Sequence, residues 1–82
     1  MPKNGEEKPW IFDLIQLKNE MMFVAEIPGP EDEIDAKLSG GILKIKGGHN
    51  FAKNIPLRST SHMIISECKY RNGVLTLRIR AL

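Results

Sequence analysis

Cysteine is almost missing from this sequence: Cys68 stands alone among 82 residues. A lone cysteine excludes an internal disulfide framework and suits a reducing cytoplasm. Aromatic side chains are also scarce, with one Trp, one Tyr and three Phe. Any core must therefore rest on Ile, Leu, Val, Met and Ala. No apolar run approaches the ~18 residues that mark a membrane helix. The start, Met1-Pro2-Lys3-Asn4-Gly5-Glu6-Glu7-Lys8, places no apolar stretch behind a basic residue and does not read as a secretory leader.

Signatures of chemistry are missing too. His49 and His62 stand in polar stretches with no Cys, Asp or Glu at ligand spacing, and neither Cys-x-x-Cys nor His-Glu-x-x-His occurs. No metal or other cofactor is expected. Gly40-Gly41 and Gly47-Gly48 lack the following Lys-Ser/Thr and helix of a phosphate loop, and read as turn glycines. The acidic cluster Glu31-Asp32-Glu33-Asp35 lacks the spacing and glycine of a calcium loop and reads as a solvated face. No serine has a histidine base and an orienting group in its own segment, and a chain this short leaves little room for a catalytic cleft. The sequence predicts no enzyme. Cys68 falls on an apolar strand face beside Leu77 and reads as a small buried hydrophobe.

Charge is balanced overall at +2 but not along the chain. Residues 1–40 carry nine acids and four bases, and residues 41–82 carry one acid and eight bases. One reading is a nucleic-acid patch built from Lys44, Lys46, Lys53, Arg78 and Arg80. Stacking aromatics are missing from the outward positions near them, so nucleic acid is a poor partner. The better reading is that strands of the two halves interleave and the asymmetry cancels.

What is present is punctuation for strands. Asn72-Gly73, flanked by alternating apolar residues, predicts a two-residue hairpin. Its register places Tyr70/Leu75, Cys68/Leu77 and Ser66/Ile79 on an apolar face, with Lys69/Thr76, Glu67/Arg78 and Ile65/Arg80 on the other. With Gly40-Gly41 as a second turn, Leu38/Leu43 and Ala36/Ile45 pair on an apolar side. Asp35/Lys46 and Lys37/Lys44 then pair on a polar one. Trp10–Leu17, Met21–Ile27 and Phe51–Ile55 are further strands, the second ended by Pro28-Gly29-Pro30 and the third by Pro56. Glu31-Asp32-Glu33 is too short to carry a helix and is assigned to a loop, as is Arg58–His62. Residues 1–9 read as a disordered arm and residues 10–82 as one domain. Seven short strands without a helical period predict an all-β, immunoglobulin-like antiparallel sandwich.

In that order the residues resemble the α-crystallin domain of the small heat shock proteins, the Hsp20 family. Cys68-x-Tyr70-x-Asn72-Gly73-Val74-Leu75 looks like that family's small-x-aromatic-x-Asn-Gly-Val-Leu signature. Ala25-Glu26-Ile27-Pro28-Gly29 is similar to its strand ending in Pro-Gly. Ile34-x-Ala36-x-Leu38 with Leu43-x-Ile45-x-Gly47 resembles its middle hairpin, and Phe51-x-Lys53-x-Ile55-x-Leu57 a later strand. The departures are equally specific. The family's long loop, which often carries a strand exchanged between subunits, is here reduced to Gly47-Gly48-His49-Asn50. Pro56 precedes Leu57 instead of following it, and no Ile-x-Ile tail follows Arg80.

The resemblance implies an ATP-independent holdase for partially unfolded proteins in the cytoplasm, with no membrane partner. It places a client or peptide groove at Ile34, Ala36, Leu38, Met63 and Ile65, and a dimer edge at Phe51, Lys53 and Ile55. The missing loop and tail raise an alternative, an adapter or p23-like co-chaperone module with one defined partner, and predict a monomer or small oligomer. Ile42, Met63 and Ile65 are apolar where the alternation calls for outward polar residues, which suggests an exposed interaction surface unless loops or the Trp10 segment cover them.

Overall fold

The computed structural model describes residues 10–57 and 62–82. The expected arm at 1–9 and most of the polar loop at 58–62 lie outside the described residues. Seven strands form among the described residues: β1 Phe12–Gln16, β2 Glu20–Glu26, β3 Asp35–Ser39, β4 Ile42–Lys46, β5 Ala52–Pro56, β6 Met63–Arg71 and β7 Val74–Ala81. They build an antiparallel four-stranded sheet in the order β1-β2-β7-β6, packed on a three-stranded sheet in the order β3-β4-β5. The all-β sandwich is the expected one. No helix among the described residues is long and apolar enough to cross a membrane.

The core follows from period-two alternation. Phe23, Ala25 and Ile27 of β2 and its end, Leu75, Leu77 and Ile79 of β7, and Leu43 and Ile45 of β4 are all buried, closed by Ile55 and Leu57. Each of these strands sends every second residue inward, so the sequence pattern alone selects the buried face. The two halves of the chain do interleave. Central strand β7 pairs with β2 from the acidic half, and Arg78 meets Glu20 at 3.4 Å.

Both predicted hairpins close through left-handed turns, Gly40-Gly41 at φ 58° and 79° and Asn72-Gly73 at φ 51° and 81°. The β3–β4 register matches expectation at every pair. The β6–β7 register matches from Arg71 back to Glu67, including Glu67 opposite Arg78, and then shifts by one residue. A bulge at Ser66 places Ile65 opposite Ile79 and Ile64 opposite Arg80, so the expected Ser66/Ile79 and Ile65/Arg80 pairs do not form. One extra residue flips the face of everything before it. Met63 and Ile65 therefore turn inward and pack on the core. Their apolar character is a matter of packing, whereas Ile42 is outward and exposed as expected.

Two further readings are corrected. Glu31–Glu33 forms a single 3-10 turn in place of a loop. Glu33 N–H donates to Pro30 O and Ile34 N–H to Glu31 O, at 3.0 and 3.1 Å. The turn between β4 and β5 is made by His49 and Asn50, at φ 58° and 62°, with Phe51 N–H donating to Gly48 O at 3.1 Å. Gly47 and Gly48 are not its left-handed residues. They are small because the chain passes against Pro28-Gly29: a Cβ on Gly48 would land on the Gly29 carbonyl, and one on Gly47 would lie 2.9 Å from Pro28 O.

Candidate functional site

Among the described residues, four edge strands bound the two sides of the sandwich, β3 with β6 on one side and β1 with β5 on the other. The groove residues expected from the sequence come together on the first. Ile34, Ala36 and Leu38 line the inner side of β3 and the residue before it, and Met63 and Ile65 the inner side of β6. All five are half-buried and rest on the core. Met63 and Ile65 reach this position through the Ser66 bulge. The arrangement is a shallow apolar strip between two strand edges whose outer backbone groups have no strand partner among the described residues. Chemically it can receive an extended chain: edge groups supply hydrogen bonds and the strip accepts alternate apolar side chains.

Cys68 borders the same side. It faces Leu77 as expected, but it is exposed because β6 is an edge strand. Its setting is still an unreactive one. Partial desolvation, with the Asp35 carboxylate adding to it, pushes the thiol above its ordinary range and keeps it protonated at neutral pH.

One end of the sandwich gathers three of the sequence motifs. Tyr70 O–H donates to Ile27 O at 2.6 Å, Ile27 N–H donates to Gly73 O at 3.0 Å, and Gly48 N–H donates to Pro28 O at 2.7 Å. The aromatic of the Asn-Gly signature, the Pro-Gly strand end and the short β4–β5 connection are thus tied together. The first two bonds lie within the four-stranded sheet, and the Gly48–Pro28 bond links the β4–β5 connection of the three-stranded sheet to it.

The β1–β5 side carries a feature that sequence reading missed. Trp10 stacks near Phe12, Phe23 and Phe51, with ring centroids at 5.1, 6.1 and 5.7 Å. The Trp10 indole N–H donates to Glu26 O at 3.1 Å. Lys53 extends its ammonium over the Trp10 and Phe51 rings, 5.9 and 5.8 Å from their centroids. Trp10, Phe12, Phe51 and Lys53 line an open cleft of about 960 Å³, with Phe23 buried behind them. The available signal was that Phe51, Lys53 and Ile55 alternate in phase with Leu43 and Ile45, which points Lys53 inward. Of the expected dimer-edge residues, Ile55 is in the core, Phe51 is half-buried under Lys53, and only Lys53 is well exposed.

The basic set proposed for nucleic acid is dispersed. Lys44 and Lys46 lie on the outer face of the three-stranded sheet, and Arg78 and Arg80 on the outer face of the other. Lys53 caps the aromatic cluster between them. Arg78 is moreover held by Glu20 and Glu67, at 3.4 and 3.2 Å. Among the described residues no cluster of His, Cys, Asp and Glu could hold a metal ion.

No family model and no curated protein matches the chain. Solved structures do. A C-terminally truncated form of the small heat shock protein AgsA from Salmonella typhimurium superposes with a TM-score of 0.72 at 21% identity, covering 92% of this chain and 89% of that one. A form truncated at both termini gives 0.65 at 20% identity, covering 89% and 99%. Likeness at that identity establishes the fold, the α-crystallin β-sandwich.

Proposed function

We propose that this α-crystallin-fold chain, over residues 10–82, is an ATP-independent chaperone-like protein. It holds partially unfolded proteins at the groove between β3 and β6. One observation carries the reading: two strand edges flank a strip formed by Ile34, Ala36, Leu38, Met63 and Ile65, half-buried and resting on the core. An unfolded client offers unpaired backbone groups and apolar side chains, the two things such a strip can satisfy together. Nothing in that exchange requires nucleotide, metal or a covalent step, and the protein is read as a binding protein.

The test is suppression of light scattering by a heat-labile client, with the chain in stoichiometric excess. The expected result is suppression by the native chain and its loss in Leu38→Lys and Met63→Lys, which charge the strip from its two sides. No suppression by the native chain at any ratio overturns the holdase reading.

The short β4–β5 connection favours a second reading. His49-Asn50 turns the chain at once, leaving no exchanged strand. A domain without that device suits an adapter or p23-like co-chaperone using the same groove for one defined partner. A single saturable partner, in place of many denatured ones, would decide for it.

A further inference from the structure

The sequence of β1 and its place in the fold disagree. Trp10-Ile11-Phe12-Asp13-Leu14-Ile15-Gln16-Leu17 is apolar on both faces, the pattern of a strand covered on every side. Yet β1 is an edge strand among the described residues. Ile11 is 75% exposed, Ile15 45%, Leu14 41% and Leu17 38%, which makes β1 and its flanks the largest concentration of exposed large apolar residues in the described chain. Single exposed apolar residues are ordinary; four within seven positions on one free edge are not.

The other edges are guarded and this one is not. Strand β5 carries Lys53 and Pro56. Strand β3 is charged by Asp35 and Lys37, and β6 is bent by the Ser66 bulge and carries Lys69 and Arg71. Strand β1 has no proline, no lysine and no register shift against β2; its one charge is Asp13.

We infer that the free edge of β1 is an interface for a second copy of this chain, joined antiparallel about a two-fold axis at Leu14. The backbone phase supports that centre. Leu17 N–H donates to Glu20 O at 2.8 Å, so by alternation Asp13, Ile15 and Leu17 bond toward β2 while Phe12, Leu14 and Gln16 turn their N–H and C=O groups outward. A two-fold at Leu14 pairs Leu14 with the second copy's Leu14 and Phe12 with its Gln16. It uses all five residues of β1 and closes about six backbone hydrogen bonds. Ile11 then faces the second copy's Leu17, and Asp13 faces its Ile15. Centring on Asp13 instead would set two carboxylates against each other; centring on Ile15 would run the pairing past the end of the strand. The joined sheets would form one eight-stranded sheet from the two four-stranded ones. An edge contact of this length falls at the small end of specific interfaces, below ~1,200 Å², so the dimer is a transient one.

The experiment is sedimentation equilibrium of the full chain from about 1 µM to about 1 mM, with three comparisons. The native mass should rise from 9.3 kDa toward twice that value. Leu14→Pro removes an outward N–H without touching the β1–β2 ladder and should stay monomeric with an unchanged far-UV spectrum. Asn54→Pro makes the equivalent change on β5, where Leu57 N–H to Gly41 O and Gly47 N–H to Phe51 O set Asn54 outward; it should leave dimerisation intact. In a Cys68→Ser background, Leu14→Cys should oxidise to a covalent dimer, and Gln16→Cys should not, because only position 14 meets itself. A monomer at every concentration, as when residues 1–9 cover the edge, overturns the inference. So does a dimer lost in Asn54→Pro but kept in Leu14→Pro, or equal cross-linking at 14 and 16. Should Leu14→Pro fail to fold, the cysteine pair decides.

Discussion

Gly48→Ala is the sharpest probe of the corner where the β4–β5 connection crosses Pro28-Gly29. If Gly48 served only as a flexible turn residue, alanine there would cost little, since its φ is not left-handed. The structure gives a different answer. The new Cβ would sit 2.7 Å from the Gly29 carbonyl carbon and 3.3 Å from Pro28 O. Carbon–carbon contacts prefer about 3.5–4.0 Å, so the two backbones must part by roughly 1 Å. That separation stretches the Gly48 N–H to Pro28 O bond, now 2.7 Å, a loss of about 1 kcal/mol. Overpacking adds about 1–3 kcal/mol, for a total of about 2–4 kcal/mol. For a domain of this size each kcal/mol lowers the melting temperature by about 5 °C, so the fall is about 10–20 °C by circular dichroism or calorimetry. Gly40→Ala is the contrast: its Cβ meets open space, and only the left-handed φ of 58° is strained, at about 1 kcal/mol. A Gly48→Ala variant melting within a few degrees of the native chain, or above Gly40→Ala, would refute the close approach.

Tyr70→Phe removes the donor to Ile27 O, and should destabilise by about 1–2 kcal/mol in chemical denaturation without altering the far-UV spectrum; an unchanged midpoint would mean water replaces the bond at no cost. Glu67 has its carboxyl held below the ordinary range, chiefly by the hydrogen bond and charge of Lys69, with Arg78 a smaller contributor. A depressed folded value means its contribution to stability is present above the ordinary carboxylate range and is lost as pH falls through the lowered one. Carbon-detected NMR should show that midpoint rising in Lys69→Ala, and no movement would exclude Lys69 as the main cause. For Cys68, desolvation with help from Asp35 raises the thiol, so alkylation by iodoacetamide at neutral pH should be slower than for a free cysteine despite its exposure. Asp35→Asn should recover part of the rate, and a native thiol reacting faster than free cysteine would contradict the assignment.

The hairpins were legible because their signals are local. Asn-Gly and Gly-Gly meet the left-handed requirement of a two-residue turn, and a turn fixes the register for as long as the strands stay regular. The Ser66 bulge broke that chain of inference. Ile64 and Ile65 are chemically alike, so the alternation cannot say which points inward; the decision falls to the Ile79 side chain across the strand and to the core beneath it. Gly47-Gly48 misled for a related reason. A glycine placed for a left-handed turn and one placed for close backbone approach read the same in sequence, and the second kind depends on a segment nearly twenty residues away. The groove residues were named from family resemblance, and the fold brings all five to one side. The Lys53–Trp10–Phe51 cluster joins residues some forty positions apart and had no local signal beyond strand phase.

Local residue order dictates which residues turn, which strands form and which face of β2, β4 and β7 is buried, since these rest on backbone sterics and on solvent exclusion acting over a few residues. Tertiary structure decided where strands end up in their sheets. Only there does β1, apolar on both faces, become an open edge; only there do Met63 and Ile65 turn inward to face Ile34, Ala36 and Leu38 across the sandwich. The basic residues are sent to separate faces by the same placement. Edge or centre is a property of pairing order, and pairing order is set by contacts far apart in the chain.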